Sequence, residues 1–176
     1  MKFVFSALLL AVILSAEEQP NKPQTLKEVL LEQLHTTHDK ADWFVPLHVA
    51  IAGLKPAQVT MTDNHGNHSI GQLAYHLLFW DTRALQEFNG EKPTKFGGNN
   101  DETFDKFDSL KWPETAEKLD AVMKAWEKAV ADADEAKLKA NASLIAHIGT
   151  HNAYHIGQII YVRKLQGTWD ASNGVK

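Results

Sequence analysis

The chain has 176 residues, 44% of them hydrophobic, with nine histidines and no cysteine. This length fits one domain with a sizeable core, and a net charge of −4 makes the chain a poor candidate for a phosphate-backbone binder, which needs a concentrated basic face, so no nucleic-acid partner is expected. Without cysteine there is no disulfide framework, no thiolate nucleophile and no cysteine-held zinc or iron–sulfur site.

Lys2 is followed by an apolar or small run from Phe3 to Leu14, and then by Ser15-Ala16. The run is shorter than the ~20 residues of a membrane-spanning helix, and its flanks are those of a secretory signal peptide. Residues 1–16 are therefore expected to be a signal cut after Ala16, and residues 17–24, with Pro20 and Pro23, a linker. Residues 25–176 form the domain, exported to the periplasm or medium, with no stable membrane span once the signal is gone.

Thr25 and Glu28 make a capping box before apolar residues at Leu26, Val29, Leu30 and Leu34, a helical period. A helical stretch from Trp43 to Leu54 follows, with a kink or break at Pro46. Gly53 to His68 reads as a long loop. Ser69 then caps a strongly amphipathic segment, Ile70 to Phe88, which Asn89-Gly90 ends. Residues 90–112 lack periodicity and look like a crossover loop. Trp112-Pro113-Glu114 opens the next helix, whose stripe includes Leu119, Val122, Met123, Trp126 and Val130. The last runs from about Ala142 to Leu165, with Arg163-Lys164 in its final turn. No alternating strand pattern of useful length appears. The expected fold is all-α, a four-helix bundle with long crossover loops.

His147, His151 and His155 recur every four residues on the last helix, each offset from the next by about 40°. Their stripe flanks the apolar one of Ile145, Ile148, Ile156, Ile159 and Ile160. An i, i+4 pair of imidazoles holds one metal between them, and His76, bracketed by Leu73 and Trp80, is the candidate third ligand from a facing helix. Three neutral imidazoles suit Zn²⁺, Ni²⁺ or Fe²⁺ and leave one coordination position open for water or substrate. Gln72 and Gln158 are placed to accept the second ring N–H of His76 and His155. His147 is the one candidate general base, while Asp81 stands about 140° around its helix from His76 and should point away.

The other histidines read as bystanders: His35 and His38 towards solvent, His65 and His68 in a turn, His48 towards the core. Trp43, Trp80, Trp126 and Trp169 read as core. There is no His-Glu-x-x-His, only one Glu-x-x-His (Glu32 to His35), and neither a Gly-x-Ser-x-Gly nor a phosphate-cradling glycine loop. Zincin, di-iron, serine-hydrolase and nucleotide chemistries are set aside on that ground.

Two segments resemble a known family. Ser69-Ile70-Gly71-Gln72-Leu73-Ala74-Tyr75-His76-Leu77, preceded by a turn at Gly53 to Pro56, looks like the second-helix motif of the DinB-like superfamily. His151-Asn152-Ala153-Tyr154-His155-Ile156-Gly157-Gln158-Ile159 looks like its closing-helix motif. The resemblance implies a four-helix bundle with a divalent metal on three histidines, which map onto His76, His151 and His155. It also implies a small-molecule substrate and a homodimer. The family includes metal-dependent transferases that use low-molecular-weight thiols, and an isomerase. Those thiols are cytosolic, so the expected export departs from that chemistry. The reading is a metal-dependent hydrolase or transferase, with a non-catalytic metal- or ligand-binding bundle as the alternative.

Overall fold

Thr25 Oγ1 accepts from the backbone N–H of Glu28 and the Glu28 carboxylate accepts from that of Thr25, so the expected capping box starts the first helix, α1 (Leu26–His38). A computed structural model describes residues 25–63 and 65–175. The proposed signal and linker, residues 1–24, lie outside the described residues. After α1 come two short helices, α2 (Leu47–Ile51) and α3 (Pro56–Val59). The long α4 (Ile70–Phe88), the four-residue α5 (Glu102–Asp105), α6 (Trp112–Asp132) and α7 (Glu135–Leu165) complete the order. The four long helices form an all-α bundle in which α1 and α4 each pack against both α6 and α7. Among the described residues no helix is long and apolar enough to cross a membrane.

The structure departs from the expected helices in three places. The Trp43–Leu54 stretch shortens to α2, because Pro46 sits at its N-cap and lacks a backbone N–H; Trp43 is left 92% exposed. α3 interrupts the expected 53–68 loop, with Pro56 in its first turn and the Gln58 side chain accepting from the Lys55 N–H at 2.8 Å. α7 begins at Glu135 rather than Ala142. The Asp134 carboxylate accepts from the Lys137 N–H at 2.8 Å and caps it, and Leu138 is the sole buried residue between 135 and 141.

Several single residues also fall elsewhere than expected. His48 faces solvent instead of the core. His38, read as solvated, is 1% exposed, with Nδ1 2.7 Å from Glu127 and Nε2 3.0 Å from Asp120. Burial pulls its pKa down, but the bonds to Asp120 and Glu127 outweigh that and hold it above the ordinary value. Trp80 and Trp169 are only half-buried. Trp126 is the expected core tryptophan, fully buried, and its indole N–H donates to the Asp81 carbonyl at 3.0 Å.

Asp81 itself is fully buried where α4 meets α7, and accepts from the Asn152 amide at 3.0 Å. Asp81 Oδ1 and Asn152 Oδ1 have no other partner among the described residues. Burial pushes the Asp81 carboxyl up to about 7, and the bond from Asn152 offsets this only in part. Below that pH the carboxyl keeps its proton, which supplies the donor those oxygens lack. An unfolded chain releases the proton near 3.8, so the contribution to stability is full below that value and is lost as the pH rises to about 7. Asp81→Asn keeps the shape and carries its own donor. It is expected to match the parent near pH 4 and to exceed it by roughly 2–4 kcal/mol at pH 8, measured by urea unfolding at the two pH values.

Candidate metal centre

The Ser69 side chain accepts from the Gln72 N–H and Gln72 Oε1 accepts from the Ser69 N–H, which fixes the start of α4. His76 follows almost two turns later on the buried side. On α7, His151 and His155 lie one turn apart and face it. His76 Nε2 and His151 Nε2 are 3.1 Å apart, and one nitrogen from each of His76, His151 and His155 falls within 4.8 Å of the others. His76 is 3% and His155 7% exposed, while His151 is half-buried. The structure thus brings together the three histidines singled out from the sequence.

Two hydrogen bonds set which ring nitrogen is bare. Thr103 Oγ1 donates to the Asn100 carbonyl at 2.6 Å, so it receives the Nδ1–H of His76, 2.5 Å away. Gln158 Oε1 receives the Nδ1–H of His155 at 2.6 Å. Both arrangements leave Nε2 as a lone pair turned towards the cluster. Gln158 therefore has the outer role expected of it, whereas Gln72 is committed to the helix cap and Thr103 takes its place beside His76.

Burial, reinforced by repulsion from His155, His151 and His68, pushes the His76 imidazole down to about 3. Burial and then His155 push His151 down to about 4, and burial lowers His155 against the opposing bond to Gln158. All three rings are neutral at pH 7, the state in which imidazole ligates a metal. Zinc–nitrogen bonds of about 2.0–2.1 Å set tetrahedral ligands a little over 3 Å apart, close to the observed Nε2 separation. Donor type, protonation and spacing are compatible with a divalent-cation site.

The expected 90–112 crossover loop closes one side of the cluster. Its α5 brings Thr103 to His76 and inserts Phe104 between two imidazoles: His76 stacks on one face at 4.0 Å and His68 on the other at 3.7 Å. His68 is thus part of the surroundings of the site, not a turn residue alone. The loop is tied to α4 by Arg83, which donates to the Thr94 carbonyl at 2.5 Å, and by Trp80, which donates to the Asn100 side chain at 3.3 Å. Gly71 permits the close approach, since a Cβ there would run into the Phe107 ring.

A pocket of about 780 Å³ opens onto the three histidines. Trp80, Phe104, Leu144, Ile148 and Tyr154 form apolar walls, and Arg83 supplies a cation at its edge. His147 also borders the pocket but is exposed, with Nδ1 3.4 Å from Ser143 Oγ and no bond to the cluster. Asp81 does not line it. Tyr154 does, and its hydroxyl accepts from Gln158 Nε2 at 3.3 Å, which leaves its own proton uncommitted. Thr103, Phe104, His68 and Tyr154 are the members that periodicity does not reveal. Only Tyr154, one residue before His155, stands in a segment that carries a motif.

No curated protein and no solved structure matches the chain. The family model of the DinB superfamily matches residues 45–159, from the residue before Pro46 to the buried Ile159, and so spans α2, the crossover loop and all three histidines. The chain belongs to the DinB superfamily.

Proposed function

We propose that His76, His151 and His155 hold one divalent cation and that the chain is a metal-dependent enzyme, a hydrolase or transferase acting on a small, largely apolar molecule. The observation that carries this reading is the convergence of neutral imidazoles, two with Nε2 held bare, on the floor of an apolar pocket of about 780 Å³. A cation bound by three protein ligands supplies Lewis acidity at its remaining position, and zinc, nickel and ferrous iron all suit imidazole donors. The rest of the chemistry belongs to the chain. Phe104 and Trp80 shield the floor from water and offer faces to an apolar substrate body. Thr103 and Gln158 hold the protons on Nδ1 of His76 and His155, so neither ring presents N–H to the pocket. Tyr154, His147 and Glu87 are groups at the wall able to give or take a proton, with Glu87 3.9 Å from Arg83. Residues 1–16 support export, and the substrate is accordingly one met outside the cytoplasm rather than a cytosolic thiol.

The reading is tested by metal analysis of untagged protein together with turnover of a panel of small apolar esters, amides and electrophiles. The divalent ion held by the three histidines is expected to be lost in His151→Ala, lowering the metal count by one per chain, and any turnover is expected to cease with chelator and return with metal. Bound metal without turnover across the panel would support the non-catalytic bundle instead.

The acceptor beside His76 gives a finer test. Thr103→Val keeps the side-chain shape and removes the oxygen that orients the ring. Metal affinity is expected to fall by about 10–100-fold with helicity unchanged, as read by competition with a chromophoric chelator and by circular dichroism.

A further inference from the structure

Away from that pocket, the last turn of α1 meets α6 in a second group of ligating side chains. His35 and Asp39 are four residues apart and share one face of the helix end. Glu127 of α6 faces them, its Oε1 3.2 Å from His35 Nδ1. Donor atoms of His35, Asp39 and Glu127 all lie within 4.8 Å of one another. His35 is half-exposed, and a groove of about 640 Å³ along Asp39 and Asp120 opens this corner to solvent.

Asp39, Asp120 and Glu127 bring three carboxylates to this end of the bundle. His38 pairs with both Asp120 and Glu127, and Lys124 bonds the second oxygen of Asp120 at 2.7 Å. Glu127 Oε1, which accepts from His38 Nδ1 at 2.7 Å, is also the atom 3.2 Å from His35 Nδ1, and Asp39 completes the group. The 3.2 Å gap between His35 Nδ1 and Glu127 Oε1 is the separation of two ligands each about 2.0–2.2 Å from one tetrahedral ion. A set of one imidazole and two carboxylates suits a borderline ion such as zinc, while calcium and magnesium favour all-oxygen shells.

We propose that His35, Asp39 and Glu127 form a second binding site, for a divalent transition-metal cation of the zinc type, which joins the end of α1 to α6. It shares no residue with the three-histidine cluster and stands or falls separately from it. Bound there, the ion bridges α1 and α6 beside the buried His38.

The test is zinc titration into metal-free, untagged full-length protein, with bound metal counted by elemental analysis after dialysis. Two zinc ions per chain are expected. His35→Ala and Asp39→Asn should each leave one, His151→Ala should leave one, and His35→Ala with His151→Ala should leave none. Glu127 is not altered, because it also carries the buried His38, and retained helicity in each variant is checked by circular dichroism. A count that neither His35→Ala nor Asp39→Asn lowers overturns the second site. A single zinc lost only in His151→Ala does the same and leaves the three-histidine reading intact. A single zinc lost only in His35→Ala and Asp39→Asn supports the second site and overturns the first.

Discussion

Three imidazoles crowded between α4 and α7 are the constraint around which the rest of the molecule is arranged. Each ring buries two nitrogens of opposite hydrogen-bonding character, and a buried polar atom without a partner costs about 1–3 kcal/mol. Thr103 and Gln158 satisfy the Nδ1 side of two rings. What remains is the bare Nε2 of His76, 3.1 Å from Nε2 of His151, a distance at which a neutral His151 donates its Nε2–H to it. In the neutral cluster that one bond joins the two helices, and a cation placed between the rings would take its place. Burial and the neighbouring imidazoles push His76 and His151 well below neutrality, so the rings are uncharged at pH 7, the protonation state that metal ligation requires.

The same helix pair carries a second buried polar contact, and it is of a different kind. Asn152 follows His151 directly, so α7 turns an amide into the core beside a histidine that faces the pocket. Asp81, about 140° around α4 from His76, meets that amide and shares the region with the fully buried Trp126. A protonated carboxyl fixes register without adding a charge next to the imidazoles. The ionised form would place an anion in the core and would favour imidazolium over the bare lone pair. Below about pH 7, register and ligand readiness are thus both served by an acid that keeps its proton.

How much of this was legible in the sequence depended on how many local signals agreed. For α4 a capping pair, an apolar period and an Asn-Gly stop all coincide, and its bounds are those expected. For the segment 135–141 one buried leucine stands among alanine, lysine and other polar residues, so the helix there rests on propensity and an aspartate cap rather than on a period. The ligand triad was legible because an i, i+4 spacing is a helix-surface property and His76 sits in an apolar run. Thr103 and Phe104 were not, because they reach the site from a loop whose path is set by tertiary contacts to Arg83, Trp80 and Gly71. His38 was misread for a related reason. Its threonine and aspartate neighbours look solvated, but Asp120 and Glu127, which make its burial tolerable, lie on another helix.

That division has a consequence for how the site can vary. The histidines stand on rigid helices whose register is fixed by caps and by the Asp81–Asn152 contact, so the floor of the pocket is determined by the bundle. The side opposite them is a loop held to α4 by a few hydrogen bonds and by Phe96 packed on Phe79 and Trp80, at centroid distances of 5.1 and 5.5 Å. A change in that loop alters which apolar surface meets a substrate without moving the three nitrogens. Yet the loop is not independent of the floor, because Thr103 orients His76 and Phe104 stacks on it. Under the proposed function, substrate fit and cation affinity therefore depend on the same four-residue helix, and α5 is where the two requirements have to be met together.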